Sequence, residues 1–208
     1  MIRPHRILTG APPAPHRMQP ILNVITCSTR PRRVGPAVAT WFEQVARAHG
    51  AFEVVACDLK ELALPLLDEP EHPRTGKYSH EHTLRWSKLT AAADAYVFVL
   101  PEYNFGPPAS LLNALSYLGA EWAYKPAAFV SYGGMSGGIR AVQVAKQLMT
   151  TQKIVPLLEA VAVQNVGTLI DADGKLQPAA LHGESAAVML KELARWAAAL
   201  RTLRTPSP

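Results

Sequence analysis

Stretches of near-continuous apolar residues alternate along this chain with stretches whose apolar residues recur every three or four positions. The first pattern predicts strands buried on both faces, the second amphipathic helices. Ile21-Leu22-Asn23-Val24-Ile25-Thr26 reads as the first strand, and Val34, Val38, Trp41, Phe42 and Val45 then form one helical stripe. Phe52-Glu53-Val54-Val55-Ala56-Cys57 is the second strand, followed by a long loop through Pro65, Pro70, Pro73 and Gly76. Leu84, Trp86 and Leu89 mark the second helix, and Tyr96-Val97-Phe98-Val99-Leu100 the third strand. A third helix, opened by Pro107 and Pro108, is expected to bury Leu111, Leu112, Leu115 and Leu118. Ala127-Ala128-Phe129-Val130-Ser131 makes the fourth strand, and the helix after Gly137-Gly138 carries Val142, Ala145 and Leu148. The fifth strand reads as split, over Ile154-Val155 and Val161-Ala162-Val163. The last helix is expected to place Met189, Leu193, Trp196, Leu200 and Leu203 on one inward face.

Five alternations of strand and helix call for a parallel sheet covered on both faces. Units of this size fit an α/β, flavodoxin-like three-layer sandwich with strand order 2-1-3-4-5, and right-handed crossovers leave its switch point between the first and third strands. That topology brings the loops after the first, third and fourth strands to one rim. Residues 20–204 are expected to form a single domain. Residues 1–19, with Arg3, Arg6, Arg17 and no acidic residue, read as a mobile tail in which Met18 is an alternative start.

Charge then narrows the partners. Three of the five net positive charges belong to that tail's arginines, which leaves +2 for the rest, no advertisement of a nucleic-acid surface. No apolar stretch approaches the roughly 20 residues of a membrane span, and the tail lacks the apolar core of a secretory signal. Two cysteines, Cys27 and Cys57, are too few for a disulfide framework, so a reducing cytoplasm is the expected setting. His80 and His82 beside Glu81 lack further ligands and read as a loop pair, with no metal site expected. Asp68, Glu69 and Glu71 read as solvated charge.

The three rim loops carry the unusual chemistry. The first, Cys27 to Pro36, runs into a helix N-terminus, where unpaired N–H groups favour an anion. Ser28 and Thr29 offer hydroxyls, Arg30 or Arg33 a bidentate contact to phosphate, and Gly35 close backbone approach. The same residues also fit a plain helix cap with solvated arginines. No Walker glycine–lysine pattern and no G-x-G-x-x-G occurs. The second loop, Pro101-Glu102-Tyr103-Asn104 with Phe105-Gly106, combines a rigid turn, a carboxylate, aromatic rings and an amide. It suits a flat, polar-edged cofactor, flavin foremost, although Asn104 also fits as a cap of the following helix. The third, Ser131 to Gly138, holds four glycines, which suit backbone lying flat against a planar ligand.

Together these residues resemble the NADPH-dependent FMN reductase family, which includes quinone, azo-dye and chromate reductases. Ser28-Thr29-Arg30 is similar to its glycine–serine–x–arginine motif, and Pro101 to Asn104 matches its proline–glutamate–tyrosine–asparagine turn in full. Ala93-Asp94, Asn113-Ala114-Leu115 and the Ser131–Gly134 stretch agree as well. Cys27, Leu112 and Ser116 depart from the family's usual glycine, lysine and aspartate. The resemblance implies that Ser28, Arg30, Arg33 and Gly35 hold an FMN phosphate. It implies that Pro101, Glu102, Tyr103 and Asn104 line the isoalloxazine, with Ser131, Gly133 and Gly134 on its other side. It further implies NADPH or NADH as co-substrate and a small-molecule electron acceptor, with the chemistry at flavin N5 and no dedicated catalytic side chain. A homodimer or homotetramer is implied too, with Trp122, Tyr124 and the proline-rich loop near the subunit boundary. The alternatives to an enzyme are a flavodoxin-type electron carrier and a non-catalytic flavin-binding module.

Overall fold

Five parallel strands in the order β2-β1-β3-β4-β5 make the sheet of the computed structural model, which describes residues 19–204. The expectations about residues 1–18, including Met18 as a start, lie outside the described residues. The strands are β1 (Ile21–Thr26), β2 (Glu53–Asp58), β3 (Ala95–Pro101), β4 (Pro126–Tyr132) and β5 (Val155–Val163). β1, β3 and β4 are buried at every position, as their unbroken apolar runs require. The fifth strand is one nine-residue element rather than two. A register irregularity between Ala127 and Phe129, where β4 meets β5, offsets its two halves. In this edge strand Pro156 and Glu159 interrupt an otherwise apolar run, which hid its continuity.

Helices cover both faces. One face holds α1 (Gly35–His49) and α6 (Ala180–Arg201), which bury Val38, Phe42, Met189, Leu190 and Leu193 against Val24, Val97 and Val130. The other carries α2 (Leu59–Leu62), α3 (Glu81–Ala92), α4 (Ala109–Ser116) and α5 (Ile139–Thr150). There Trp86, Trp122, Tyr96, Phe98 and Phe129 form a ring cluster in the core. Trp122 is fully buried, so it contributes no surface to a subunit boundary. Leu112, Trp196 and Leu203, expected inside, are exposed; Ala114, Leu190 and Ala197 join the expected Leu111, Leu115, Leu118, Met189, Leu193 and Leu200 in the core.

The long loop is pinned by side chains. Asn113 on α4 donates Nδ2–H to the Pro65 carbonyl at 2.6 Å and accepts the Leu67 N–H at 3.0 Å. Asp68 accepts from the Tyr117 hydroxyl at 2.9 Å and lies 3.0 Å from His82 Nε2, while Glu69 accepts the N–H groups of Ser79 and His80. These carboxylates are therefore structural rather than solvated. His80 and His82 stack at 5.2 Å between centroids. Among the described residues no group of three or more His, Cys, Asp or Glu is placed to hold a metal.

At the opposite end of the sheet from the rim, Lys125 is buried and donates to the carbonyls of Thr90 (2.8 Å) and Ala91 (3.0 Å) at the end of α3. Burial first, and then the nearby Arg204 cation, push its pKa down to about 7 from the ordinary 10.5. The unfolded chain therefore binds more protons than the folded one above that value, and stability rises with pH across this window. Between about pH 7 and 8.5, Tm is expected to climb in the wild type and to stay flatter in Lys125→Met. Parallel melting curves of the two proteins would contradict this role for Lys125.

Candidate functional site

β1, β3 and β4 all end on one edge, so the loops that follow them emerge side by side. The Cys27 N–H bonds the Val99 carbonyl at 3.0 Å, and Glu102 N–H bonds the Tyr132 carbonyl at 3.2 Å. Ser110, in the first turn of α4, donates to the Cys27 carbonyl. The Arg30 guanidinium lies over the Tyr103 ring at 6.0 Å. The three loops predicted to meet therefore share a rim.

The first loop ends in α1, whose start has no side-chain cap and no acidic residue in its first turn. Its positive end is open to an anion. Ser28 Oγ and the Tyr132 hydroxyl are buried and make no hydrogen bond. Leaving such a group unpaired costs about 1–3 kcal/mol, and these two donors, unlike the unpaired Thr83, Thr90 and Trp122, lie side by side at the rim. Both stand beside Gly35, where a Cβ would collide with Ser28 Oγ and come within 2.7 Å of the Tyr132 oxygen. Burial, above all, pushes the Tyr132 phenol up; the Ser28 hydroxyl, near enough to interact with it though not in hydrogen-bond geometry, acts against that rise, and Tyr132 stays a protonated donor at neutral pH. Two O–H donors, a glycine that keeps their space clear and an uncapped helix start fit a phosphate monoester.

The two arginines divide their roles. Arg33 is engaged: its guanidinium meets Asp58 in a fork, at 2.6 Å on each side, and also donates to the Ser28 carbonyl. Hydrogen bonding to Asp58 is the chief cause of its raised pKa. Arg33 thus braces the loop from β2 instead of standing free for a phosphate. Arg30 is exposed, and among the described residues no ion pair holds it.

In the second loop, Tyr103 and Gly106 exchange two main-chain bonds of 2.9 Å, with Asn104 (φ 49°) and Phe105 (φ 66°) left-handed between them. This is a tight turn of the primed type, which asparagine tolerates better than most residues. Asn104 does not cap α4; Pro108 stands at that position, with no side-chain cap. The Glu102 carboxylate turns to the third loop, accepting from Ser136 Oγ (3.0 Å) and from Arg140 Nε (2.8 Å) and N–H (3.2 Å). Burial alone would raise its pKa, but Arg140 and Ser136 hold it below the ordinary value. Arg140 also lies 4.0 Å over the Phe105 ring. One arginine therefore ties the second loop to the third.

In the third loop Ser131 is buried and donates to the Gly137 carbonyl at 2.7 Å, folding the loop back on β4. Gly137 (φ 59°) and Gly138 (φ 85°) are left-handed, and a Cβ at Gly138 would come within 2.9 Å of Tyr132 N. Gly134 borders open space and Gly133 lies close to Gly138. A cavity of about 360 Å³ opens beside the rim between Thr29, Leu59, Leu66, Ser110 and Asn113. Tyr132, Asp58 and Arg140 are the residues that sequence reading passed over. The alternation of side chains along β4 was the available signal for Tyr132, since it shares the α1 face with Ala128 and Val130.

A sequence profile described as NADPH-dependent FMN reductase matches residues 21–168. The NAD(P)H-dependent FMN reductase C4B3.06c of Schizosaccharomyces pombe is 42% identical over 130 residues, covering 62% of this chain and 65% of that protein. The NAD(P)H-dependent FMN reductase LOT6 of Saccharomyces cerevisiae is 34% identical over 127 residues, covering 56% of this chain and 66% of that one. The chain thus spans just under two thirds of the length of these curated relatives. Among solved structures, FerB from Paracoccus denitrificans, a flavoenzyme NAD(P)H:(acceptor) oxidoreductase, superposes with a TM-score of 0.69 at 18% identity. It covers 86% of this chain and 98% of its own, a likeness of fold.

Proposed function

Since the chain belongs to the NADPH-dependent FMN reductase family, we propose that it binds FMN along the three-loop rim. There it oxidises NADPH or NADH in favour of small acceptors such as quinones, azo compounds or free flavin. The observation that carries this reading is the pair of buried, unpartnered hydroxyls of Ser28 and Tyr132 at the uncapped start of α1. Ser28 and Tyr132 donate to the phosphate, Gly35 leaves those two hydroxyls room, and the exposed Arg30 adds a cation. Arg33 acts one step back, fixing the Ser28 carbonyl against Asp58 so that the loop keeps its shape. Pro101, Tyr103 and Asn104 line one side of the ring, with Gly133 and Gly134 on the other. Glu102 and Ser131 hold those two walls together through Arg140 and the Gly137 carbonyl.

Bound FMN supplies the redox chemistry. The chain itself orients and encloses, with no side chain assigned as acid, base or nucleophile. Residues 20–204 act in this reading as one FMN-binding domain, working in the cytoplasm without nucleic acid or membrane. It assembles as a homodimer or homotetramer. The exposed Leu66 in the cavity beside the rim, with exposed Leu67 and Leu112 next to its lining residues Leu66 and Asn113 in sequence, supports a subunit boundary there.

Two experiments test the reading. The purified chain, loaded with FMN, is expected to oxidise NADPH when a quinone is supplied; an FMN-loaded protein with no such turnover from either nicotinamide would overturn the enzymatic part. Arg30→Ala is expected to weaken FMN by about 1.5–3 kcal/mol, the scale of one charged hydrogen bond. Fluorescence titration reads that loss, and unchanged affinity would place the phosphate elsewhere.

A further inference from the structure

Lys125 is only 5% exposed, yet among the described residues no ion pair includes it. An ammonium has three N–H donors, and two of these go to the Thr90 and Ala91 carbonyls. The Tyr96 ring, 5.6 Å from Nζ, stabilises the charge from one side. Both neighbouring carboxylates are engaged elsewhere. Asp94 accepts from Arg204 and from the Ile21 N–H, each at 2.9 Å. Glu121 accepts from Tyr78, Ser87 and the Gly119 N–H. A buried cation in this position lacks the partner that burial ordinarily demands.

A cavity of about 380 Å³ opens at this charge. Its polar wall is Glu121, Tyr124, Lys125 and Arg204, and its apolar wall is made by alanines and Leu203. Nζ stands at the inner side, since it bonds the Ala91 carbonyl and lies near enough to Arg204 for the two cations to repel. Arg204 directs one N–H to Asp94 and has others to offer. The Tyr124 oxygen accepts from Lys153 Nζ at 3.2 Å, which leaves its own O–H to donate. Donors from three side chains, two of them full cations, thus border one small space.

We infer that this cavity is a second ligand site, built for a small organic carboxylate. Its oxygens pair with Lys125 and Arg204, and its carbon chain lies against the alanines and Leu203. A guanidinium and an ammonium side by side match the two oxygens of one carboxylate. Glu121 opposes a dianion more than a monoanion, and the apolar wall favours a carbon chain over an inorganic oxyanion. The site lies at the far end of the sheet from the flavin rim and does not rest on the flavin reading.

Calorimetric titration of the full chain with butyrate, at fixed ionic strength, tests the inference. Saturable binding at one site is expected at pH 6.5, and none of the neutral isostere butyramide. Burial and then Arg204 bring the Lys125 pKa down to about 7, while butyrate stays ionised throughout. Affinity should therefore fall more than tenfold between pH 6.5 and 8.5. The other charged or titratable groups around Nζ are Asp94, Tyr96, Glu121, Tyr124, Lys153 and Arg204. Lys125→Met separates their share: its residual binding should be at least tenfold weaker and flat with pH. Gly35→Ala, altered at the rim, should bind butyrate as the wild type does.

No butyrate binding at pH 6.5 would overturn the inference, as would equal affinity at the two pH values or for butyramide. Those readings need only the wild type, so they hold even where Lys125→Met fails to fold. Full affinity in a folded Lys125→Met, or loss in Gly35→Ala, would also overturn it and move the carboxylate to the rim. Butyrate binding is measured without FMN, so its failure leaves the flavin reading standing, and the reverse.

Discussion

Replacing Gly35 with alanine is expected to lower FMN affinity roughly a hundredfold while leaving the fold in place. The added Cβ meets two side-chain tips, Ser28 Oγ and the Tyr132 hydroxyl, and only then the Thr26 methyl at 3.3 Å. Side-chain tips move aside at modest cost, and α1 tolerates alanine at its first position. The tips that must move are nonetheless the two donors assigned to the phosphate. Losing charge-assisted hydrogen bonds worth about 1.5–3 kcal/mol each removes about 3 kcal/mol of binding, or two powers of ten. Flavin fluorescence titration measures the loss and thermal melting measures the fold. Wild-type affinity in a folded Gly35→Ala protein would show that the Ser28 and Tyr132 hydroxyls do not hold the phosphate. Tyr132→Phe removes one donor without adding bulk, and is expected to weaken FMN about tenfold.

Asp58→Ala is expected to be the most destabilising single change near the site. Arg33 is held in a part-buried fork by Asp58, which also accepts the Lys60 N–H at the start of α2. Removing the carboxylate leaves a guanidinium with little water and one carbonyl partner. Breaking a well-buried pair from one side costs about 3–5 kcal/mol; with both side chains still partly exposed, about 2–3 kcal/mol is expected here. In a chain of this size that lowers Tm by about 4–12 °C. Arg33→Ala should cost less stability, because Asp58 can rehydrate, yet still weaken FMN by loosening the Ser28 carbonyl. A melting temperature within a degree of wild type in Asp58→Ala would contradict the bracing role.

Much of this architecture is legible from local pattern, because a parallel sheet buried on both faces writes long apolar runs. β1 spans Ile21 to Thr26 as its six apolar-rich residues predict, and the alternation of elements yields the 2-1-3-4-5 order. β5 was harder to read, since an edge strand is buried on fewer sides and Pro156 and the register irregularity interrupt its rhythm. The outward turn of Trp196 has a similar origin. Helical spacing defines a stripe but not which of two neighbouring stripes faces the sheet, and Ala197 with Leu200 packs there more closely.

The rim was legible for a topological reason: three unusual loops follow strands that must end together. The division of labour within it was not. Arg30 and Arg33 are equivalent by sequence, and their roles part only because Asp58, twenty-five residues beyond Arg33, arrives from β2. Glu102 resembles a ring-lining residue until Arg140, thirty-eight positions on, is seen to hold its carboxylate. Such assignments depend on long-range partners that no local window contains.

The measurement that bears most directly on the central claim is a titration of FMN with the purified full chain, followed by flavin fluorescence. The account predicts saturable quenching with one FMN per chain, weakened in Arg30→Ala and about a hundredfold weaker in Gly35→Ala. Flavin emission that stays unchanged by the wild-type protein up to high micromolar concentrations would mean that Ser28, Gly35 and Tyr132 frame something other than this phosphate.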